Sequence, residues 1–463
     1  MPNAVDTVPH AELEPYPVLK GFSVAHLNDF HYATANWTVV PDVTKDADSM
    51  RSSTQGSVEP FTVVQHPCAW KASDYADESL WQYHLTEDDI TEIQAALAVI
   101  EGRGIAVEDL RKEDFVIPVL GAKLLAIRDE VLHGRGFSVI RGFPVDRLTR
   151  AQTVATYYAF GLLWGEPQAQ NAKGHILGHI KAIGTDATQE GTRPYTTNVA
   201  HGYHCDGSDI VGLLCLKDAA EGGVSNWASS ISVHNEMLRR GRQDLVQVLS
   251  QGTFWLPAHN AWGNPQEAFT TTGADPNFIN FPVFNYHHGY LSVNYAEGSY
   301  YYYYRHPDAP RLSELEQEAL RMFTSLAKSD ELRLDYKLMP GDLALLNNLT
   351  MLHAKTAFTD HQVRAGSRDA AGLREPLSLW RDTHHLLTPS TAGTYCACGW
   401  PPPNAPPLDG LKPYEVKWGS TKVGSRGGYW IGHGYKRSVP LDAEYGDLEA
   451  AKPGVATILA QAV

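Results

Sequence analysis

Cysteine is scarce in this sequence, with five residues among 463. The odd number and the low density exclude a disulfide framework as the basis of the fold. Long apolar runs are also missing, because no stretch approaches the roughly 20 residues that a membrane-spanning helix needs. Residues 1–16 contain acids and prolines but no basic or apolar segment, so they do not resemble a secretory signal. We therefore expect a cytoplasmic protein.

Basic residues are fewer than acidic residues in this sequence. The chain has 53 acidic and 38 basic residues, which gives a formal net charge of −15. An acidic surface repels phosphate backbones and anionic lipid headgroups, so nucleic acid and membranes are poor candidate partners. The length is sufficient for one large core or two ordinary ones. A homo-oligomer stays open.

Secondary-structure signals change along the chain. Acids after Thr86 and apolar residues at helical spacing predict a helix that ends near Gly102. Further helices are expected at 120–132, 150–163 and 313–327. Strands are expected at 137–143, 208–216, 251–257, 289–295, 343–353 and 376–382. This distribution predicts a mainly β protein with flanking helices (α+β), in which the strands form an antiparallel barrel or jelly roll.

The segment His204-Cys205-Asp206 contains the first candidate metal ligands. On a strand, side chains at positions i and i+2 point to the same face, so His204 and Asp206 would lie side by side and Cys205 would point away. A second histidine from a distant strand would complete the two-histidine, one-carboxylate face of non-haem iron(II) oxygenases. By itself the pattern is weak, because it occurs by chance in many proteins.

A second segment supplies that histidine. Pro340-Gly341-Asp342 is a turn signal, and it precedes an apolar strand, Leu343 to Leu346. The asparagines at 347–348 then interrupt the strand, and His353 closes the next one. A histidine in such a place is usually an ordinary core or rim residue. Its combination with the His204 segment makes it the candidate third ligand.

Together these segments resemble the TauD/TfdA-like branch of the iron(II)- and 2-oxoglutarate-dependent oxygenases, which includes taurine dioxygenase and clavaminate synthase. The resemblance covers about residues 110–385 and includes the segment from Arg374 to Trp380. It implies a double-stranded β-helix core, which is a jelly roll of the cupin type. It also implies that His204, Asp206 and His353 bind Fe(2+), with 2-oxoglutarate and O2 as co-substrates.

The same resemblance suggests a division of the chain. We expect residues 1–110 to form an N-terminal extension that packs on the core. Residues 111–400 would form the oxygenase domain. Residues 401–463, which are rich in proline and glycine, would form a C-terminal extension.

The resemblance also implies which residues bind the far carboxylate of 2-oxoglutarate. Arg374 precedes a Leu-Trp pair, as the arginine of the family does, and its planar guanidinium suits a bidentate contact with a carboxylate. Arg364 and Arg368 are rival positions. Ser225 follows a Gly-Gly pair and matches the hydroxyl residue that the family places near the same carboxylate.

One position departs from the taurine-oxidising members of the family. Ser378 stands four positions after Arg374, where those members carry a second arginine for the anionic group of the substrate. We therefore expect a neutral or amine-bearing substrate. The reaction implied is oxidation of an unactivated C–H bond of a small metabolite, with release of succinate and carbon dioxide. Hydroxylation, desaturation and oxidative cyclisation, as in secondary metabolism, all stay open.

Other functions remain open from the sequence alone. A cupin-like hydrolase or isomerase could use zinc or manganese on the same barrel, and a non-catalytic relative could bind a small molecule. Arg374 favours the oxygenase, because the hydrolase needs no clamp for a 2-oxo acid. All three candidate ligands are present, which argues against a non-catalytic protein. The acidic balance disfavours a nucleic-acid demethylase.

Overall fold

The computed structural model describes residues 51–171, 173–182, 195, 197–251, 255–257, 278–297, 311–359 and 395–400, with single residues and short stretches between 405 and 441. Among these residues, no helix combines the length and apolar character that crossing a bilayer requires.

The strands of the described residues are numbered in chain order. They are β1 (Ser52–Ser53), β2 (Val63–Val64), β3 (Gln82–His84), β4 (Phe137–Arg141), β5 (Gly178–Ile180), β6 (His201–His204), β7 (Ile210–Cys215), β8 (Glu221–Gly222), β9 (Ser225–Ser229), β10 (Trp255–Pro257), β11 (Phe278–Asn280), β12 (Phe284–His287), β13 (Tyr290–Val293), β14 (Arg333–Tyr336), β15 (Leu343–Asn347), β16 (Met351–Lys355), β17 (Phe358–Thr359) and β18 (Tyr395–Trp400).

The α-helices are α1 (Glu87–Gly102), α2 (Pro118–His133), α3 (Arg150–Trp164), α4 (Ser230–Arg239), α5 (Gln243–Leu249) and α6 (Glu314–Ala327), and short 3-10 helices lie at Ala72–Tyr75, Glu78–Leu80 and Val107–Asp109. The predicted helices at 120–132, 150–163 and 313–327 are confirmed as α2, α3 and α6. The helices α4 and α5 were not predicted.

Helix starts follow their capping residues. The Thr86 hydroxyl accepts a hydrogen bond from the Asp89 backbone N–H, and the Asp89 carboxylate accepts one from the Thr86 backbone N–H. Ser313 and Glu316 make the same reciprocal pair at the start of α6. Each pair satisfies two backbone donors that a helix leaves open at its first turn. The helix predicted to begin after Thr86 is therefore confirmed as α1, and the capping pair of Thr86 and Asp89 explains where it begins.

Two sheets dominate the described part of the chain. One has six strands in the order β3-β4-β15-β7-β18-β5, and the other has four in the order β14-β9-β16-β6. Their pairings are antiparallel except for the parallel pair of β3 with β4. The predicted combination of antiparallel sheets and flanking helices is confirmed as a mixed α/β fold.

Both sheets contribute to one buried cluster. Val139, Val211 and Leu346 come from the six-stranded sheet, whereas Trp227 and Met351 come from the four-stranded sheet. Because side chains alternate along a strand, these residues define the face that each sheet turns toward the other. We call this layer the inner cluster.

Helices cover the outer faces of the two sheets. Residues of α1, α2 and α3 pack on Ile140, Leu214 and Leu345 of the six-stranded sheet. Residues of α4, α5 and α6 pack on Ala228 and Leu352 of the four-stranded sheet. Each sheet is thus buried on both sides, which explains why β7 and β15 are buried along their whole length.

The predicted turn at 340–342 holds three strands together. Asp342 is buried and accepts hydrogen bonds from Arg141 through both of its oxygens, at 2.8 and 3.0 Å. It also accepts hydrogen bonds from the Tyr336 hydroxyl and the Met339 backbone N–H, both at 2.9 Å. These bonds join β4, β14 and β15, and they fix the start of the segment that leads to His353.

Candidate metal centre

The structure brings His204, Asp206 and His353 together. His204 ends β6 and lies directly opposite His353 on β16, with ring centroids 4.2 Å apart. The Asp206 carboxylate oxygens lie 3.7 Å from His204 Nε2 and 3.3 Å from His353 Nε2. One ligand atom from each side chain lies within 4.8 Å of the other two. We call these three residues the triad.

Strand alternation decides which side chains reach this place. Tyr203 and Cys205 are buried in the cluster beneath α4 and α6, on the outer face of the four-stranded sheet. The intervening His204 therefore points to the inner face. His353 points to the same face, because it is the register partner of Trp227 in the inner cluster. The prediction that Cys205 points away from the site is confirmed.

Backbone contacts orient two members of the triad. His204 Nδ1 lies 2.8 Å from the carbonyl oxygen of Gly202 and donates to it, so Nε2 keeps its lone pair for a metal. The Asp206 backbone N–H donates to the side-chain oxygen of Asn348 at 3.1 Å. Asn348 lies in the turn between β15 and β16, so the turn that precedes His353 also positions Asp206. The sequence favours a turn role for Asn348 and leaves a pocket-lining role open.

Glu297 supports β6 from its other side. Its buried carboxylate accepts a hydrogen bond from the Tyr203 backbone N–H at 3.0 Å and pairs with Lys328, which follows the last residue of α6, at 2.6 Å. A Cβ at Gly202 would lie 2.7 Å from a Glu297 carboxylate oxygen, so a larger residue there would displace the Glu297 side chain. Glu297 has no sequence motif around it, and its role depends on a contact between distant segments.

The electrostatics of the triad suit a divalent cation. Burial alone would raise the pKa of Asp206, but His353 and then His204 outweigh it and hold this pKa well below its usual range. The carboxylate is therefore ionised at neutral pH. His201 stacks on His204 with ring centroids 3.9 Å apart, and burial keeps its pKa well below the usual value, so it is neutral.

The donor set fits iron(II). Donors bound to one ion at about 2.0–2.2 Å in neighbouring positions are about 3 Å apart, close to the spacings of 3.3 and 3.7 Å between Asp206 and the histidines. His353 turns Nε2 toward the Asp206 carboxylate, and its Nδ1 is buried with no hydrogen-bond partner among the described residues. Three protein ligands leave positions for a chelating co-substrate and dioxygen.

Of the residues predicted to bind 2-oxoglutarate, the described part of the chain contains Ser225. Ser225 begins β9 and is buried, two residues before Trp227, so it faces the inner side as His353 does. Its register partner on β16 is Lys355. Arg374, Arg364, Arg368 and Ser378 lie outside the described residues, as does the predicted strand at 376–382.

Two histidines and one carboxylate, converging on the inner face of paired antiparallel sheets, define the class of mononuclear non-haem iron(II) oxygenases. The chain belongs to the family described as "Taurine catabolism dioxygenase TauD, TfdA family", which matches residues 103–368. The predicted relationship is confirmed, and the protein is an iron(II)- and 2-oxoglutarate-dependent oxygenase. The family decides against the cupin-like hydrolase, the isomerase and the non-catalytic relative.

Two curated relatives align over most of the same region. The FR-33289 synthase of Streptomyces rubellomurinus (strain ATCC 31215) is 29% identical over 318 residues, which are 67% of this chain and 88% of the relative. The taurine hydroxylase-like protein SAT17 of Stachybotrys chartarum is 27% identical over 300 residues, which are 63% of this chain and 74% of the relative.

Solved structures that are similar to this chain include asparagine oxygenase and the non-heme iron oxygenase OrfP. Asparagine oxygenase has a TM-score of 0.46 at 15% identity and covers 69% of this chain and 91% of its own. OrfP in complex with Fe has a TM-score of 0.44 at 13% identity and covers 68% of this chain and 92% of its own.

Proposed function

We propose that the triad holds the catalytic iron(II) through His204 Nε2, the Asp206 carboxylate and His353 Nε2. The observation that carries this proposal is the approach of one ligand atom from each side chain to within 4.8 Å. Two neutral imidazoles and one carboxylate leave a single positive charge on the bound ion. The anionic ends of a 2-oxo acid would complement that charge.

We further propose a double-stranded β-helix for the core. In support, β6, β16, β9 and β14 form one sheet, whereas β5, β18, β7 and β15 lie together in the other. Successive strands from β5 to β7 and from β14 to β16 alternate between the sheets, which is how a chain winds a jelly roll. The proposed domain spans 111–400, because β18 ends at Trp400.

The flanking segments would pack on this domain as extensions. The N-terminal extension, residues 1–110, supplies β3 to the edge of the six-stranded sheet and the buried side chains of Val63 and Trp81. The C-terminal extension, residues 401–463, supplies the buried residues Leu408 and Tyr414 to the cluster beneath α6.

Arg374 is the proposed clamp for the far carboxylate of 2-oxoglutarate, with the Ser225 hydroxyl as a second contact. This assignment rests on the position of Arg374 before a Leu-Trp pair and of Ser225 after a Gly-Gly pair. A guanidinium offers two parallel N–H donors to a carboxylate, which fixes the orientation of the ligand as well as its place.

The bound iron, with 2-oxoglutarate and dioxygen, supplies the oxidising power that breaks an unactivated C–H bond. The described residues orient and shield the site. Asn348 and the Gly202 carbonyl fix the directions of Asp206 and His204. Trp227, the register partner of His353, is buried in the inner cluster with Met351, and these two side chains would shield the site from water on that side.

The proposed substrate is a neutral or amine-bearing small metabolite, and nucleic acid and membranes are not proposed as partners. Ser378 carries this proposal, because it removes the second arginine expected of alkylsulfonate-oxidising members. The two curated relatives are named as a synthase and a taurine hydroxylase-like protein, which is compatible with a metabolite substrate in secondary metabolism.

Succinate release tests the substrate proposal. We expect iron-loaded protein with 2-oxoglutarate and ascorbate to form succinate faster with some neutral or amine-bearing metabolites than with none, because a correctly bound substrate promotes coupled turnover. The measurement is succinate by mass spectrometry across a panel that includes taurine and other sulfonates. Stimulation by the sulfonates alone would contradict the proposed substrate class and leave the oxygenase assignment intact.

A further inference from the structure

Lys355 ends β16 two residues after His353 and therefore points to the same face of the sheet. Two residues along a strand span about 7 Å. Its register partners are Ser225 on β9 and His201 on β6. An ammonium, a hydroxyl and an imidazole therefore lie on three neighbouring strands next to the triad, although the register between β16 and β6 shifts between His353 and Lys355.

The ammonium of Lys355 has no counter-ion among the described residues. Nζ donates one hydrogen bond to the Val199 carbonyl oxygen at 2.8 Å and lies 4.6 Å from the centre of the Phe358 ring. No carboxylate of the described part of the chain lies within ion-pair distance of it. The side chain is half-buried, so water reaches it less freely than it reaches a surface lysine.

A cation that is partly withdrawn from water is costly unless an anion or several acceptors replace the lost hydration. One carbonyl oxygen and one aromatic ring replace only part of it, and two N–H donors of the ammonium remain for a ligand. The side chain faces the region beside the triad. The ligand that would complete this environment is an oxyanion that enters together with the metal-bound molecule.

We propose that Lys355 binds the distal carboxylate of 2-oxoglutarate and, with the adjacent Ser225 hydroxyl, forms an anion subsite one step along β16 from the metal. This inference rests on the proposed function of the triad. The separation of Lys355 from His353 along the strand is comparable to the length of a five-carbon dicarboxylate. Lys355 would act beside the arginine clamp, because a carboxylate has lone pairs for both cations.

The test compares two 2-oxo acids of equal chain length. 2-Oxoglutarate carries the distal carboxylate, whereas 2-oxovalerate carries a methyl group in its place. Both are titrated without oxygen into full-length, iron(II)-loaded protein, and the dissociation constants come from the absorption change. The variants are Lys355→Met, which removes the charge, and Lys355→Arg, which keeps it. Lys71→Met is the matched distant control, since Lys71 is an exposed partner of Glu331.

We expect Lys355→Met to weaken 2-oxoglutarate binding by about tenfold or more, while 2-oxovalerate binding changes by less than about twofold. Lys355→Arg should retain most of the affinity, and Lys71→Met all of it. Equal affinities of wild type and Lys355→Met for 2-oxoglutarate would overturn the inference alone. If Lys355→Met weakened the binding of 2-oxoglutarate and 2-oxovalerate equally, the inference would also be overturned. An affinity loss that does not depend on the distal carboxylate would come from a change at the metal site. A wild type that binds neither acid would overturn the proposed function and this inference with it.

Discussion

Replacing Asp206 with alanine is expected to weaken iron(II) binding by more than about 100-fold and to abolish 2-oxoglutarate turnover. Loss of a residue that only orients a metal ligand costs about 10- to 100-fold in metal affinity, so loss of the charged ligand itself costs more. Asp206 supplies the negative charge of the triad, and the two histidines alone cannot neutralise a divalent ion. The measurement is iron bound per protein after dialysis against a fixed concentration of free metal.

Asp335→Ala is the matched control for that experiment. Asp335 is an exposed aspartate of β14 whose carboxylate pairs with Arg333 and Asn226 on the solvent side. This control should retain full iron binding, and the circular dichroism of both variants should match wild type. Stoichiometric iron in folded Asp206→Ala would contradict the assignment of the triad.

Replacing Arg374 with alanine is expected to weaken 2-oxoglutarate binding by about 2–5 kcal/mol, a factor of about 30 or more. The physical reason is that the far carboxylate would enter its site without the bidentate partner that replaces its hydration. Iron binding should be unchanged, because Arg374 is not a ligand of the metal. The measurement is the dissociation constant of 2-oxoglutarate for the iron-loaded, oxygen-free variant.

Arg364→Ala and Arg368→Ala are the controls for the clamp. Both arginines lie between His353 and Arg374 in the sequence, and each replacement removes the same charge. They should change 2-oxoglutarate affinity by less than about twofold. If Arg364→Ala weakened binding and Arg374→Ala did not, the clamp would be Arg364. The position of an arginine before the Leu-Trp pair would then not identify the residue that binds the far carboxylate of 2-oxoglutarate.

Local patterns in the sequence predict the parts of the fold that short-range physics determines. The helix after Thr86 is predictable because its cap and its capping partner, Asp89, are three residues apart. The inward direction of His204 follows from the two-residue period of β6. Asp206 lies beyond the end of that strand, and the contact of its backbone N–H with Asn348 helps to place it. The turn at 347–350 is predictable as well, since two asparagines interrupt an apolar run.

Other parts of the fold escape sequence patterns for identifiable reasons. Helix α4 begins at Ser230, immediately after β9 ends at Ser229, so no loop residues separate strand from helix. The strands β9 and β14 have only five and four residues, and β9 places Ser225 and Asn226 before its apolar residues, so neither gives a long enough pattern to stand out as a strand. Polar side chains of the two strands pair with one another on the outer side.

The support of the triad depends on contacts between distant segments. Asn348 reaches Asp206 across 142 positions, and Glu297 reaches Tyr203 across 94. The placement of Lys355 beside Ser225 follows from the register of β16 against β9. Register is set by the packing of whole strands, so no local pattern specifies it. The metal ligands are therefore readable from the sequence, whereas the residues that orient them are not.

The most direct test of the central claim is an oxygen-free absorption titration of the full-length protein with iron(II) and 2-oxoglutarate. Chelation of iron by a 2-oxo acid gives a weak metal-to-ligand charge-transfer band in the visible region. We expect this band in wild type, its absence when either component is omitted, and its loss in Asp206→Ala. Folded wild-type protein that retains stoichiometric iron and develops no band at saturating 2-oxoglutarate would contradict the account.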